Sequence, residues 1–402
     1  LNDTDQTKRS EFLKQTNGLA EDPYILQQLD YDLRTSGFAG NTKIPQLIFL
    51  SAITAAFDKP VSIVIKGESG SGKSFSLQSG LRYVHPTAYQ EVHGMSPKAL
   101  LHAAQNELKH KMLVIQEAAG FSADGWVYLR QLLTEGRLTY RTVVQTRDGH
   151  VGKELPTIEG PVGLFMTTTQ NRLHAEDETR FLSVHVDQSR EQIRRAIMSY
   201  GDPESTARAD GLVPQFHALF EYVRSGPKNV VIPYRRRLLE LLPDTYPRVL
   251  RDISKVLALI QAHALLHQEL RAKRGEAVEA HPDDYAAVHR LIGDALAVGL
   301  QATVPPQIVE VIQAVEEMHD QLRRPVSQVE VAHYLEREQT SVSRNINTAV
   351  KEGFVKNLNP GQGKEHAYVP GKRSLPTKEV LPHPDRLFGT PARDSEASFE
   401  PA

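Results

Sequence analysis

The chain has 402 residues, more than one hydrophobic core usually supports, so two or three domains are expected. A formal charge of −2 excludes a strongly basic coat protein but leaves room for a local positive surface. With no cysteine, thiolate catalysis, disulfide bracing and cysteine-ligated zinc or iron–sulfur centres are excluded. No run approaches the ~18 apolar residues of a membrane span. The polar opening segment carries no signal-peptide core, so the protein reads as cytoplasmic with no membrane partner. Its first residue is Leu1, and the chain reads as a piece of a longer polypeptide.

Residues 1–40 read as a linker or helical lead-in, with a short helix over Tyr24 to Tyr31 and a turn at Gly37 to Asn41. From Lys43, apolar residues recur at helical spacing (Ile44, Leu47, Ile48, Ala52, Ile53) as far as Pro60. Val61 to Ile65 is then a buried strand. Further β-rich runs at Tyr89 to Val92, Met112 to Ile115 and Gly163 to Thr168 alternate with helical stretches, the pattern of a parallel sheet with crossover helices over 41–190. Residues 191–303 read as almost entirely helical, with the stripe Val249, Ile253, Val256, Leu257 and Ile260, then charged residues from Glu269 to Arg274. A third unit over 304–370 has three helices and two short strands around a glycine-rich wing, with Ser327 and Glu330 forming a capping box. The segment 371–402 is rich in proline, has little periodicity and is expected to be mostly disordered or laid over a neighbour.

Gly67-Glu68-Ser69-Gly70-Ser71-Gly72-Lys73-Ser74 fills the eight-position P-loop pattern, with a strand before it and a helix-compatible run after it. Glycines let consecutive N–H groups turn inward on phosphate oxygens, Lys73 reaches the β/γ phosphates, and Ser74 offers its hydroxyl to Mg2+. ATP and Mg2+ are therefore the expected cofactors. Glu117, at the end of the Met112 strand, is placed to orient and polarise an attacking water. Before it stands Gln116, whose amide lacks the charge of the aspartate usual at this point.

This order of motifs resembles an AAA+ ATPase, in the branch of the MCM replicative helicases and the mobile-element helicases associated with primases. The resemblance covers roughly residues 30 to 270 plus a C-terminal winged helix, and it implies an α/β P-loop core with a helical lid followed by the winged-helix domain. It implies a polar sensor after the fourth strand, either Thr169 or Asn171. It also implies an arginine at Thr179-Arg180-Phe181 that enters the neighbouring subunit's ATP site, and a second sensor arginine, Arg251 first and Arg248 in reserve. The β-prone arms around Thr146 to Gly152 form a hairpin where MCM-like motors carry a pore-facing one, which makes Arg147, His150 and Lys153 nucleic-acid contacts. Ser96 to Asn106 is too short for the helix-2 insertion of MCM proteins, which favours a relative with one DNA-contacting hairpin. In the winged helix, Arg344, Asn345 and Lys351 lie on the third helix, and Lys356 and Lys364 lie about the wing; all are expected against DNA.

The expected function is an ATP-driven DNA helicase or translocase acting in replication of a mobile element or phage. Its partners are single-stranded or forked DNA, further copies of itself in a ring, hexameric by resemblance, and a primase domain upstream or in trans. Two rivals remain: an AAA+ protein remodeller or transcriptional activator, and a nucleotide-gated DNA-binding scaffold with little turnover, which Gln116 favours.

Overall fold

The computed structural model describes residues 3–92, 98–117, 123–146, 149–170, 175–199, 211–244, 246–301, 304–361, 366–375 and 380–389. The chain divides into two compact units, one of Leu1–Leu242, Arg248–Ala295 and Pro382–Ala402, the other of Pro243–Pro247 and Leu296–Leu381. Among the described residues no helix is long and apolar enough to cross a membrane.

The first unit is a mixed α/β fold around five parallel strands: β1 (Ile63–Lys66), β2 (Tyr89–Val92), β3 (Lys111–Ile115), β4 (Val162–Thr168) and β5 (Leu182–His185). Their order across the sheet is β2-β3-β4-β1-β5, so β4 separates β1 from β3. Such a sheet is covered on both faces, and the central strands accordingly read as unbroken apolar runs. Ile63, Val64, Leu164 and Phe165 are all fully buried, and each such side chain contributes roughly 1.5–3 kcal/mol. Helix α1 (Lys43–Ile53) packs on α2 (Lys73–Leu81) at Gly80, where an added Cβ would stand 2.8 Å from Ile48 Cβ and 3.0 Å from the Pro45 backbone. This close approach fixes the P-loop helix against the rest of the core.

The N-terminal lead-in belongs to the same unit. Helix Ile25–Thr35 buries Ile25, Leu26, Leu29 and Leu33, and its Asp32 carboxylate accepts the Tyr83 hydroxyl at 2.7 Å. Helix Val213–Arg224 closes over α1 with Phe216 edge-on to Phe49 at 5.3 Å. Residues 191–303 are not wholly helical. Val230–Val231, Lys273–Arg274 and Ala277–Glu279 form a small three-stranded sheet. Its strands are two or three residues long, below the length at which periodicity reads. The C-terminal stretch is also more ordered than its composition implies: Pro384–Phe388 is a short helix, Leu387 is buried, and the Pro382 carbonyl accepts the Tyr285 hydroxyl at 2.5 Å.

A pillar holds the helical part together. On α4 (Val249–Leu266) the buried His263 Nδ1 lies 2.7 Å from Asp284 Oδ1, while Arg271 adds contacts of 2.6 to 3.2 Å and the His281 N–H donates at 2.6 Å. Burial alone would raise the Asp284 carboxyl, but hydrogen bonds from His263 and Arg271 outweigh it and hold it down at about 2. His263, His267 and Asp284 lie within metal-ligating distance of one another. Asp284 is instead saturated by protein donors, so the cluster needs no ion.

The second unit contains α5 (Pro306–Leu322), α6 (Gln328–Tyr334) and α7 (Gln339–Lys351), followed by the antiparallel pair Val355–Asn357 and Tyr368–Pro370. Val326 bridges to Tyr368 as a third edge. The Ser327–Glu330 capping box is present in both directions, as its spacing predicts.

Candidate nucleotide and nucleic-acid site

The P-loop pattern begins directly where β1 ends. Lys66, 2% exposed, closes the strand with its Nζ 2.6 Å from both Glu178 oxygens, and Glu178 also accepts the Ser183 hydroxyl at 2.7 Å. Gly70 and Gly72 have φ of 78° and 85°, the left-handed region where a side chain is strained. At Gly67 an added Cβ would lie 2.7 Å from Ser71 Oγ. The loop thus turns back on itself and delivers its N–H groups to the start of α2. Lys73 is buried and donates to the Gly67 and Glu68 carbonyls at 2.9 and 2.5 Å. Ser71 Oγ is buried with no hydrogen-bond partner among the described residues. A helix N-terminus, a close ammonium and an orphaned hydroxyl make an anion cradle, and these residues fit a polyphosphate. Ser74 is half-buried at the first turn of α2.

Glu117 emerges two strands away. The register pairs Ile115 with Met166 and Lys66 with Thr168, so Glu117, Thr168 and the first P-loop residues reach one edge of the sheet together. With strands about 4.8 Å apart, the end of β3 lies roughly 10 Å from that of β1. Glu117 is exposed and has φ of 55°, and its N–H donates to Thr167 Oγ1 at 3.0 Å. Thr167 itself is fully buried. Gln116 faces sideways: its Nε2 donates to Glu91 Oε1 at 2.6 Å, an oxygen that Gln78 of α2 also reaches. The amide in the usual aspartate position is thereby tied to a carboxylate on β2.

Of the expected sensors, Thr169 is exposed at the bend just past β4, beside the end of β1, and Asn171 lies outside the described residues. The threonine that touches Glu117 is Thr167, which the sequence reading passed over. The run Thr167-Thr168-Thr169 offers no local cue to which hydroxyl meets the neighbouring strand. Only the register decides it.

Arg180 stands at the opposite edge. It lies in the turn just before β5, whose first residue Leu182 pairs with Ile63 at the start of β1. The glycine loop follows the other end of β1, after Lys66. Arg180 donates its N–H to the Asp177 carbonyl at 2.9 Å and Nη1 to the Thr134 hydroxyl. Arg251 is exposed, and its Nη1 donates to the Thr179 hydroxyl. Arg248 is buried in an ion pair with Asp252 at 3.1 Å. The structure therefore groups Arg251 with Arg180 rather than with Lys73, and Arg248 is already committed.

The hairpin is present. Arms Arg141–Thr146 and Gly149–Glu154 pair over six positions, on a base ladder of Arg137–Leu138 with Ile158–Glu159. The base is anchored by buried Leu138 and Ile158 and by Tyr128 edge-on to Tyr140 at 5.5 Å. Beyond it the ribbon has no core, and Val143, Val144 and Val151 are exposed. His150 and Lys153 are both exposed but differ by an odd number of strand positions, so they point to opposite faces. Arg147 lies outside the described residues, as does Lys364. In the second unit, α7 buries Val342, Ile346 and Ala349 and exposes Arg344 and Lys351, with Asn345 half-buried and Lys356 exposed on the strand that follows.

No protein-family model and no curated protein matches this chain.

Proposed function

We propose that the chain is an ATP-driven DNA helicase or translocase motor: an AAA+ core with a helical lid, followed by a winged-helix domain that contacts DNA. The observation that carries this reading is the phosphate cradle at the end of β1, with Glu117 at the same sheet edge and one strand, β4, between them. Lys73 and Ser74 would hold the triphosphate and Mg2+. Glu117, fixed through its N–H by Thr167, accepts a proton from the attacking water. Arg180, before the start of β5 and so toward the sheet edge opposite its own cradle, serves the cradle of a second copy, in the ring that the family likeness implies and makes hexameric. The exposed hairpin, apolar on both faces and carrying His150 and Lys153, is suited to pushing against a strand of nucleic acid. Replication of a mobile element or phage, with a primase upstream or in trans, is the setting that the likeness implies.

The direct test is the ATPase rate of the assembled protein with and without single-stranded DNA, for wild type and Glu117→Gln. Turnover stimulated by DNA is expected, with a loss of about 100-fold or more in the variant. An assembled wild type that does not hydrolyse ATP, or a variant as fast as wild type, would overturn the motor. Gln116 favours one other reading, a nucleotide-gated DNA-binding scaffold, which predicts tight ATP binding without turnover in the same assay.

A further inference from the structure

Helix α4 carries a lysine where its packing face should be apolar. Lys255 is 8% exposed, and an ammonium removed from water is tolerated only when its N–H groups find acceptors. It has three: Asp252 Oδ1 at 2.8 Å, the Thr179 carbonyl at 3.0 Å and the Phe181 carbonyl at 3.0 Å. Burial still pulls its pKa down, against the opposing pull of Asp252. A leucine or methionine would seal the same contact with no charge to satisfy. The ammonium does something an apolar residue cannot: it grips the two carbonyls on either side of Arg180.

We propose that Lys255 is a positioning residue for Arg180, fixing the peptide planes that bracket it so that the guanidinium is presented to the phosphates held by a second copy of the chain. The inference rests on the reading of Arg180 as a residue acting in trans. Two neighbours support it. Arg251, one turn earlier on the same helix, holds the Thr179 hydroxyl, and Arg248 holds Asp252, which holds Lys255. The Thr179–Phe181 turn is thus clamped from one helix face by a side-chain bond and two main-chain bonds.

The test is subunit mixing in the ATPase assay of the full chain. Lys255→Met should bind a fluorescent ATP analogue as wild type does, yet turn over roughly 10- to 100-fold more slowly, the effect of a small misplacement of a reacting group. Mixed with Lys73→Ala it should regain activity, because an intact cradle on one copy then meets a well-held Arg180 on the other. Mixed with Arg180→Ala it should not, since both defects lie on the same donating side. Wild-type turnover in Lys255→Met, rescue by Arg180→Ala, or failure of rescue by Lys73→Ala in folded protein would overturn the proposal. If Lys255→Met loses cooperative thermal unfolding, Lys255→Gln, which keeps one donor group, is judged by the same three outcomes. If Arg180→Ala leaves wild-type turnover intact, the trans reading fails. If Arg180→Ala abolishes turnover and Lys255→Met does not, only the role of Lys255 fails.

Discussion

Replacing Thr167 by valine removes one hydroxyl from beneath Glu117 and keeps the side-chain shape. In the native strand that hydroxyl accepts the Glu117 N–H at 3.0 Å and holds the residue at φ 55°. A left-handed conformation costs a residue with a Cβ about 1–2 kcal/mol, so something must offset it. One hydrogen bond at a partly exposed N–H contributes about 1 kcal/mol net, and up to about 1.5 kcal/mol counts its share of the ordering. Without it, the fraction of molecules with Glu117 in its native pose falls roughly five- to twelvefold. On the proposed reading, Thr167→Val lowers kcat by that factor, leaves nucleotide affinity unchanged, and Thr167→Ser restores the rate. The assay is steady-state ATP hydrolysis beside equilibrium binding of a nucleotide analogue. A Thr167→Val protein with wild-type kcat would refute the claim that this hydroxyl fixes Glu117. A parallel fall in affinity would show that the change reaches the cradle instead.

Two further outcomes concern the frame. Lys66→Met strands the nearly buried Glu178 carboxylate and should cost about 3 kcal/mol. Lys66→Met/Glu178→Gln should recover most of that, read as urea midpoints. His267 is fully buried; burial and the neighbouring His263 push its pKa down to about 3. A depressed folded-state pKa means stability that is complete above the unfolded histidine value, about 6.5, and lost as pH falls from there toward 3. Thermal stability should therefore drop by about 2 kcal/mol between pH 7.5 and pH 5. In His267→Gln the pH 7.5-to-5 difference should shrink by that amount, and an unchanged slope would show that His267 is not the group responsible.

The glycine loop before α2 was legible because its geometry is local: left-handed glycines and a lysine that turns back on the loop carbonyls follow each other at fixed spacing. The hairpin and the Ser327–Glu330 box were legible for the same reason, since turn and cap chemistry span only a few residues. Thr167 was hidden because strand register, not the triplet of threonines, chooses which hydroxyl meets Glu117. Lys255 was hidden more deeply. Read as a helix, its stretch gives the stripe of Ile253, Val256 and Leu257, yet Ile253 and Leu257 are only half-buried while Asp252 and Lys255 are buried. The helix is turned by the acceptors at Thr179 and Phe181, more than seventy residues away in the chain, and no period along α4 can report them. The charged residues from Glu269 to Arg274 carried no period either, yet Lys273–Arg274 pairs as a strand and Arg271 is drawn inward by Asp284.

The two edges of the sheet have different contents. The cradle and Glu117 lie where the strands end; Arg180, Arg251 and the hairpin base lie where they begin, since β4 starts at Val162 beside Lys111. Helix α3 (Ala123–Glu135) has 13 residues and spans about 20 Å. Near its far end Thr134 meets Arg180, and Arg130 meets Asp177 in a two-pronged pair at 2.5 and 3.0 Å. Directly after it, Gly136 accepts the Gly160 N–H at 2.7 Å, at the root of the hairpin. The far end of α3 is thus tied both to the Arg180 turn and to the hairpin root. On the proposed reading this makes the end of α3 the point that ties the arginine acting in trans to the hairpin that meets DNA. On that reading a load on the hairpin is carried at its base, where Leu138 and Ile158 are buried.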